Sequence, residues 1–82
     1  MILADEIRLF VYNNYVSPAR KKGLNQITVR AGEIHTQMGL SQRLPAVCSA
    51  LGTKKIETEF NISRIEIKGP VNGSNTFFTY KV

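Results

Sequence analysis

Residues 27–51 hold the pattern that most limits how this chain can fold. A short β-branched run, 27–30, is followed by two segments in which apolar residues recur at positions i, i+3, i+4 and i+7. This spacing puts the apolar side chains on one stripe of a helix, so each segment predicts an amphipathic helix. The two stripes are Ala31, Ile34, His35 and Met38, then Leu44, Val47, Cys48 and Leu51.

A turn at Gly39 and Leu40 separates the two predicted helices, which run from about 31 to 38 and from about 43 to 51. Glycine readily adopts the left-handed conformation that a sharp turn between helices requires. Ser41 or Gln42 is expected to open the second of these helices, and Pro45 is tolerated only in its first turn. The segment therefore predicts a helix-turn-helix, with the two apolar stripes facing each other.

The C-terminal part of the chain predicts a β-hairpin. Residues 63–68 alternate apolar and charged side chains, which is the period of a half-buried strand, and residues 76–82 alternate in the same way. Phe78 and Tyr80 fall on the expected core side, which leaves Phe77 as the outward aromatic residue. The turn residues of 69–75 join the two strands, with an Asn-Gly pair at 72–73.

The predicted order of helix, strand, helix, helix, strand, strand resembles the winged helix-turn-helix family over nearly the whole chain. The resemblance implies a single α+β domain, 1–82, with three helices, a small antiparallel sheet and a wing at 69–75. It also implies that the third helix enters the major groove of DNA while the wing contacts the backbone or minor groove. The simplest helix-turn-helix proteins have a short turn and then a buried aliphatic residue at a fixed distance from the turn glycine. With Gly39 as that glycine, Pro45 would occupy the buried position. A turn two residues longer places Val47 there instead, so the sequence departs from the short-turn pattern.

The rest of the chain predicts one more helix and two connecting segments. Residues 1–16 read as the first helix, with Leu3, Ile7, Phe10 and Val11 on its core stripe, and Ser17-Pro18 is expected to end it. A basic loop is then expected over 19–25. Gly52 can end the third helix. The segment 53–60 is ambiguous; one reading is a short extra turn, capped by Thr53, that leads Ile56 and Phe60 into the core.

The charge favours a polyanionic partner. The 82 residues carry a net charge of +5, and the cationic side chains flank the predicted helix-turn-helix and wing. Gln and Arg make bidentate contacts with bases, while Ala and Ser let a helix approach the groove floor. On the outer face of the third helix, which also includes Ala50, the residues expected to contact DNA are Gln42, Arg43, Ala46, Ser49 and Thr53, with Lys54 beside this face. Around the wing they are Lys68, Asn72, Ser74 and Asn75. In the basic loop they are Arg20, Lys21 and Lys22.

We therefore expect sequence-specific binding to double-stranded DNA, as in a small transcriptional regulator or accessory DNA-binding factor. The main alternative is a winged-helix module that contacts protein within a larger assembly, and RNA binding is a further alternative. A second apolar stripe on the first helix predicts either a homodimer surface or packing under the hairpin. That stripe consists of Leu9, Tyr12 and Val16, and Tyr15 would extend it.

Several kinds of chemistry are not indicated. His35 is expected to pack in the fold, and Cys48 to fill a small apolar position. One Cys and one His cannot supply a familiar structural zinc site, and no phosphate-binding or nucleophile motif occurs. We therefore expect no enzyme, no cofactor and no metal. The single cysteine fits a reducing compartment, and no apolar stretch has the length of a membrane span or the form of an export signal, so the prediction is a cytoplasmic protein.

Overall fold

Five helices and a three-stranded sheet form the part of the chain that the computed structural model describes, residues 2–70 and 73–82. The strands are antiparallel and lie in the order β1-β3-β2. This is an α+β fold with the predicted layout of a winged helix, to which two short helices are added. The elements are α1 (Leu3–Val11), α2 (Ser17–Lys21), β1 (Gln26–Arg30), α3 (Ala31–Gln37), α4 (Leu44–Gly52), α5 (Lys54–Phe60), β2 (Ser63–Lys68) and β3 (Phe77–Lys81).

The core lies between the helices and one face of the sheet. Helix α4 contacts both α1 and α3, and the central strand β3 points Phe78 and Tyr80 into the same apolar interior. Ile7 and Val11 of α1 are fully buried, as the predicted core stripe requires. The stripes of α3 and α4 also face the core as predicted, since Ile34, Val47 and Leu51 have no exposed surface. The other core residues are Val16, Val29, Ala31, Cys48, Ala50, Ile56 and Ile62.

The prediction that Ser17-Pro18 ends the first helix was wrong. Residues Tyr12–Val16 form a π-helical turn, and the chain continues directly into α2. The backbone N–H of Ser17 donates to the carbonyl of Tyr12, five residues earlier, and Val16 keeps right-handed helical angles, φ −72° and ψ −54°. Pro18 then occupies the first turn of α2, directly after the π turn. The wider turn therefore lets the helical path continue past a proline.

The π turn also changes which side chains face the core. An α-helix that buries Ile7 and Val11 would next bury a residue three or four positions on, at 14 or 15. Instead the buried residue is Val16, five positions after Val11, and Ala19 follows it. The placement of Val16 on the second, outward stripe is therefore corrected: it lies in the core. Tyr12 of that stripe is half-buried and stacks on Phe60 of α5, with ring centroids 4.6 Å apart.

The other two residues of the expected homodimer surface differ from each other in exposure. Leu9 remains exposed, with 40% of its surface open to solvent. Tyr15 is half-buried, and its hydroxyl donates to the side-chain oxygen of Gln37 at 2.9 Å. Desolvation raises the pKa of Tyr15. The stripe is thus divided between core, partly covered and exposed residues rather than forming one continuous apolar patch.

The expected basic loop is shorter than predicted because α2 extends to Lys21. Ala19 is the buried residue of this helix, and the connection to β1 covers only 22–25. At the other ambiguous segment, 53–60, the chain forms α5, which buries Ile56 completely and packs Phe60 against the core. Thr53 precedes α5 without capping it; its hydroxyl donates instead to the carbonyl of Ala50, at 3.2 Å.

Strand β2 is more exposed than its alternating sequence predicts. All six of its residues are exposed, including Ile65 at 55% and Ile67 at 47%. The strand is an edge strand paired only with β3, and a bulge between Arg64 and Glu66 interrupts its register. An edge strand buries its apolar side chains only where another element covers it. The prediction of a half-buried strand was therefore wrong, although its bounds were correct.

The sequence pattern did not predict that the charged residue Arg8 would be buried. Arg8 of α1 is only 3% exposed, and its guanidinium donates to the carboxylate of Asp5 one turn earlier. Lys55 of α5 approaches the same carboxylate at 3.5 Å. The hydrogen bond from Arg8 is the main reason that the pKa of Asp5 lies below its usual value. The contact between Lys55 and Asp5 connects α1 to α5.

Candidate nucleic-acid interface

The N-terminus of α4 is held by a histidine of the preceding helix. Gln42 has a left-handed backbone, φ +53°, and Arg43 is the residue that precedes the helix. The backbone N–H of Arg43 donates to Nε2 of His35, at 3.0 Å. Ser41 and Gln42 therefore do not cap the helix as predicted. His35 is half-buried, and this hydrogen bond ties α3 to the start of α4 across the turn.

The C-terminus of α4 is held by the sheet. The last carbonyl groups of an α-helix lack partners within the helix and need other donors. The carbonyl of Leu51 accepts from the hydroxyl of Tyr80, and the carbonyl of Gly52 accepts from the guanidinium of Arg64. Burial raises the pKa of Tyr80 far above its usual value, so its hydroxyl keeps the proton that it donates. With both ends tied, α4 has a fixed orientation on the sheet.

Most of the residues predicted for the outward face of the third helix are exposed on α4 or at its two ends. Gln42, Arg43, Ser49 and Thr53 are exposed, and Ala46 is half-buried. Ala50 is the exception, since it is only 1% exposed. Its placement on the outward face was wrong because α4 packs against α1 on one side and α3 on the other, which buries more than one apolar stripe.

The wing begins with a glycine that no other residue replaces easily. Gly69 has φ +99°, and a Cβ at this position would lie 2.3 Å from the carbonyl oxygen of Asn75. Lys68 precedes the turn and is exposed, as are Ser74 and Asn75 beyond it. Asn72, also expected at DNA, lies outside the described residues. The wing therefore presents three of its four predicted residues to solvent.

The second half of the wing is anchored on the start of α3. The N–H groups of Ala31 and Gly32 donate to the carbonyls of Thr76 and Ser74, each at 2.9 Å. These are two of the N–H groups that have no partner within a helix. The guanidinium of Arg30 donates to the same Ser74 carbonyl at 3.2 Å. The wing carbonyls thus satisfy the helix end, and this contact fixes the path of the loop.

The anchored wing lies beside the middle of α4. The thiol of Cys48 faces the carbonyl of Gly73, with sulfur and oxygen 3.8 Å apart, and burial raises the pKa of this thiol. Ser49, the next residue along α4, is exposed. An apolar cavity of about 190 Å³ lies between the helix and the base of the wing. The wing and the outward face of α4 are therefore neighbouring parts of one surface.

The predicted basic cluster lies at the other end of the sheet. Arg20 donates to the carbonyls of Phe60 and Asn61, both at 3.0 Å, and to the carbonyl of Val82 at 3.3 Å. Its guanidinium thereby ties α2 to the ends of α5 and β3. Lys21 and Lys22 are exposed. The structure does not bring this cluster together with the wing, whereas Lys54 is exposed at the start of α5, directly after the α4 face.

Strand register brings together three residues that the sequence analysis did not connect. Arg30 of β1 and Lys68 of β2 both lie opposite Phe77 of β3. Residues opposite each other in antiparallel strands project from the same face of a sheet. That face is the outer one, because Phe78 and Val29 occupy the buried face and Phe77 is 39% exposed. Phe77 was the one outward aromatic in the sequence pattern, but its two cationic neighbours depend on register.

Residues 2–70 and 73–82 contain neither a candidate metal site nor a candidate membrane span. No three His, Cys, Asp or Glu side chains come together in a way that could hold a metal ion. None of the helices described has the length and apolar character needed to cross a lipid bilayer.

Comparison of the chain with known families, proteins and structures identified no relative. No protein-family model matches the chain, and neither the curated proteins nor the solved structures include a significant match to it.

Proposed function

We propose that this domain binds double-stranded DNA as a winged helix-turn-helix protein, with α4 in the major groove and the wing on the adjacent backbone or minor groove. The contact between Cys48 and Gly73 is the observation that carries the proposal. Because Gly73 of the wing lies beside Cys48 of α4, the exposed residues of both elements are close enough to contact one duplex. A regulator of transcription or an accessory DNA-binding factor would use the domain in this way.

The roles of the side chains follow from their chemistry. Arg43 and Gln42 at the start of α4 have the donor groups that read guanine and adenine edges. Lys54, Lys68 and Ser74 would contact phosphates, which hold the helix in register but carry no sequence information. The net charge of +5 favours such contacts with a polyanion. Phosphate contact by Arg20, Lys21 and Lys22 stays a prediction, and Arg20 would make it in addition to its three carbonyl contacts.

Replacing Arg43 with alanine tests the proposed major-groove contact. The variant is expected to bind the preferred duplex more weakly by about 1–3 kcal/mol, because a bidentate contact with a guanine is lost. The loss on random duplex should be smaller. The preferred site is first selected from a random-duplex library with the parent protein, and binding is then measured by fluorescence anisotropy.

The matched control is Lys81→Ala, which also removes one positive charge. Lys81 is exposed at the end of the sheet away from the wing, so its loss should affect all duplexes alike and only slightly. Measurements across a salt series separate the electrostatic contribution, since each phosphate contact steepens the fall of affinity with salt. Equal losses for the two variants on both duplexes would exclude Arg43 from base contact, and no salt-dependent binding at all would reject DNA as the partner.

A second candidate function is a protein-contact module. Ile65 and Ile67 favour it, because both are about half exposed on an edge strand that offers unpaired backbone groups. If the parent protein binds no duplex at low salt, while replacement of both isoleucines by threonine removes its association with a partner, this function takes precedence.

Homodimer formation through α1 and the π turn also remains a prediction, with a smaller surface than expected. Of the four residues, Leu9 is exposed, Tyr12 and Tyr15 are half-buried and Val16 is in the core. Light scattering of the protein alone at high micromolar concentration measures the mass. A dimer mass that Leu9→Glu reduces to a monomer would support this surface, and a monomer mass for the parent would remove the prediction.

A further inference from the structure

The outer face of the sheet has an aromatic ring between two cations. Phe77 lies on the central strand, with Arg30 and Lys68 directly opposite it on the two flanking strands. Neighbouring strands are about 4.8 Å apart, so the two cations start about 10 Å from each other with the ring between them. Phe77 is 39% exposed, and the side chain of Lys68 is 71% exposed. The sheet thus presents a flat apolar surface with positive charge on both sides.

The surroundings keep this charge available. Arg30 donates to the Ser74 carbonyl, a neutral group, and Lys68 lies 3.9 Å from Glu66, a long and exposed contact that contributes little. The next row of the same face is polar: the hydroxyls of Thr28 and Thr79 lie 3.1 Å apart. The apolar surface is therefore confined to one ring at the wing end of the sheet.

This arrangement matches the chemistry of one nucleotide that has left base pairing. An unpaired base has a flat face that stacks on an aromatic ring, and its flanking phosphates attract cations on either side. A paired base within a duplex presents only its edge, and an acidic peptide would use the charges but leave the ring uncovered. The combination therefore favours single-stranded nucleic acid over either of these partners.

We propose that the outer sheet face binds single-stranded nucleic acid, with one base stacked on Phe77 and the neighbouring phosphates on Arg30 and Lys68. The site shares Lys68 with the wing contacts proposed above, but Phe77 and Arg30 lie apart from the outward face of α4. Variants of Phe77 therefore test the sheet site, and variants of Arg43 test the α4 site, without altering the other.

Replacing Phe77 with tryptophan gives the test a direct signal, because the chain contains no other tryptophan. Titration with a short oligothymidylate strand is expected to quench the fluorescence of this residue as a base stacks on the indole. Phe77→Leu keeps an apolar side chain of similar size but removes the ring, and its affinity should fall by about 5- to 150-fold. Ile65→Leu is the control: it changes an exposed apolar residue outside the triplet and should leave the affinity unchanged.

The outcomes separate this site from charge alone and from the α4 site. Loss of binding in the Arg30→Ala and Lys68→Ala variants, with full affinity in Phe77→Leu and no quenching in Phe77→Trp, would overturn the stacking proposal. Equally strong, Phe77-independent binding of a polyglutamate peptide would do the same. If Arg43→Ala weakens binding to the preferred duplex but leaves oligothymidylate binding unchanged, the two sites are independent. If the parent protein binds oligothymidylate but no duplex, the sheet site stands and the α4 proposal fails.

Discussion

Replacing Leu51 with alanine is expected to lower the free energy of unfolding by about 2–5 kcal/mol. Leu51 has no exposed surface and lies in the last turn of α4, at the centre of the core. The truncation removes its apolar contacts and leaves a cavity that the neighbouring elements fill only in part. A domain of this size has a total stability of roughly 4–12 kcal/mol, so the variant would lose a large share of it. The measurement is urea unfolding followed by circular dichroism.

Leu9→Ala is the matched control for this experiment. It makes the same change in side chain, but Leu9 is 40% exposed on α1, so the expected loss is within about 1 kcal/mol. The carbonyl of Leu51 still accepts the Tyr80 hydroxyl in the Leu51→Ala protein, which leaves the cavity as the main difference. Equal urea midpoints for the two variants, with equal slopes, would contradict the position of Leu51 in the core.

Replacing Gly32 with alanine is expected to be the second large effect. A Cβ at this position would lie 2.7 Å from the backbone oxygen of Ser74 and 2.8 Å from both Cβ of Ser74 and the Arg30 guanidinium. The wing must move away, which costs about 1–3 kcal/mol in overpacking and weakens the hydrogen bonds to the Ser74 carbonyl by about 1 kcal/mol each. The same unfolding measurement applies, together with duplex affinity, which should fall because the wing is displaced.

Gly52→Ala provides the comparison, because Gly52 also lies in a helix. A Cβ there would meet its nearest atoms, in Phe78 and Arg64, at 3.8 and 3.9 Å, which are ordinary contacts. Alanine should therefore be neutral or stabilising by up to about 1 kcal/mol, since glycine is unfavourable in helices. If the alanine variants at 32 and 52 are equally stable, the close packing of the wing on α3 is not present in solution.

Short-range periodicity was sufficient to predict most of the elements. The strand expected at 27–30 is β1, and the helices expected from 31 and from 43 are α3 and α4, each within about one residue. Hydrophobic spacing and glycine turns are local properties, so a single sequence carries them. For the candidate site, only exposure can be compared: Gln42, Arg43, Ser49 and Thr53 are exposed and Ala46 is half-buried, whereas Ala50 is buried.

The remaining features depend on contacts between distant parts of the chain. The rule that a proline ends a helix holds for a regular α-helix. The turn before Pro18 is a π turn, so the rule did not apply there. The exposure of β2 follows from its edge position, which a sequence pattern does not specify. The position of the wing beside α4 and the row of Arg30, Phe77 and Lys68 both require strand register. The two binding proposals depend on the last two features, the position of the wing and this row of residues. The sequence could therefore suggest a partner but not the geometry of its contacts.

The π turn at Tyr12–Val16 affects how this domain must be aligned with any relative. A regular α-helix with one residue fewer between Val11 and Val16 would place the same side chains in the core, because the interval would shrink from five positions to four. The turn is thus equivalent to a one-residue insertion. A proline at 18 would not fit the uninterrupted helix, where its ring would clash with the carbonyl four residues earlier. A homologue that lacks the extra residue should therefore lack this proline as well, and an alignment that places a gap anywhere else in the first helix would exchange core positions for surface positions.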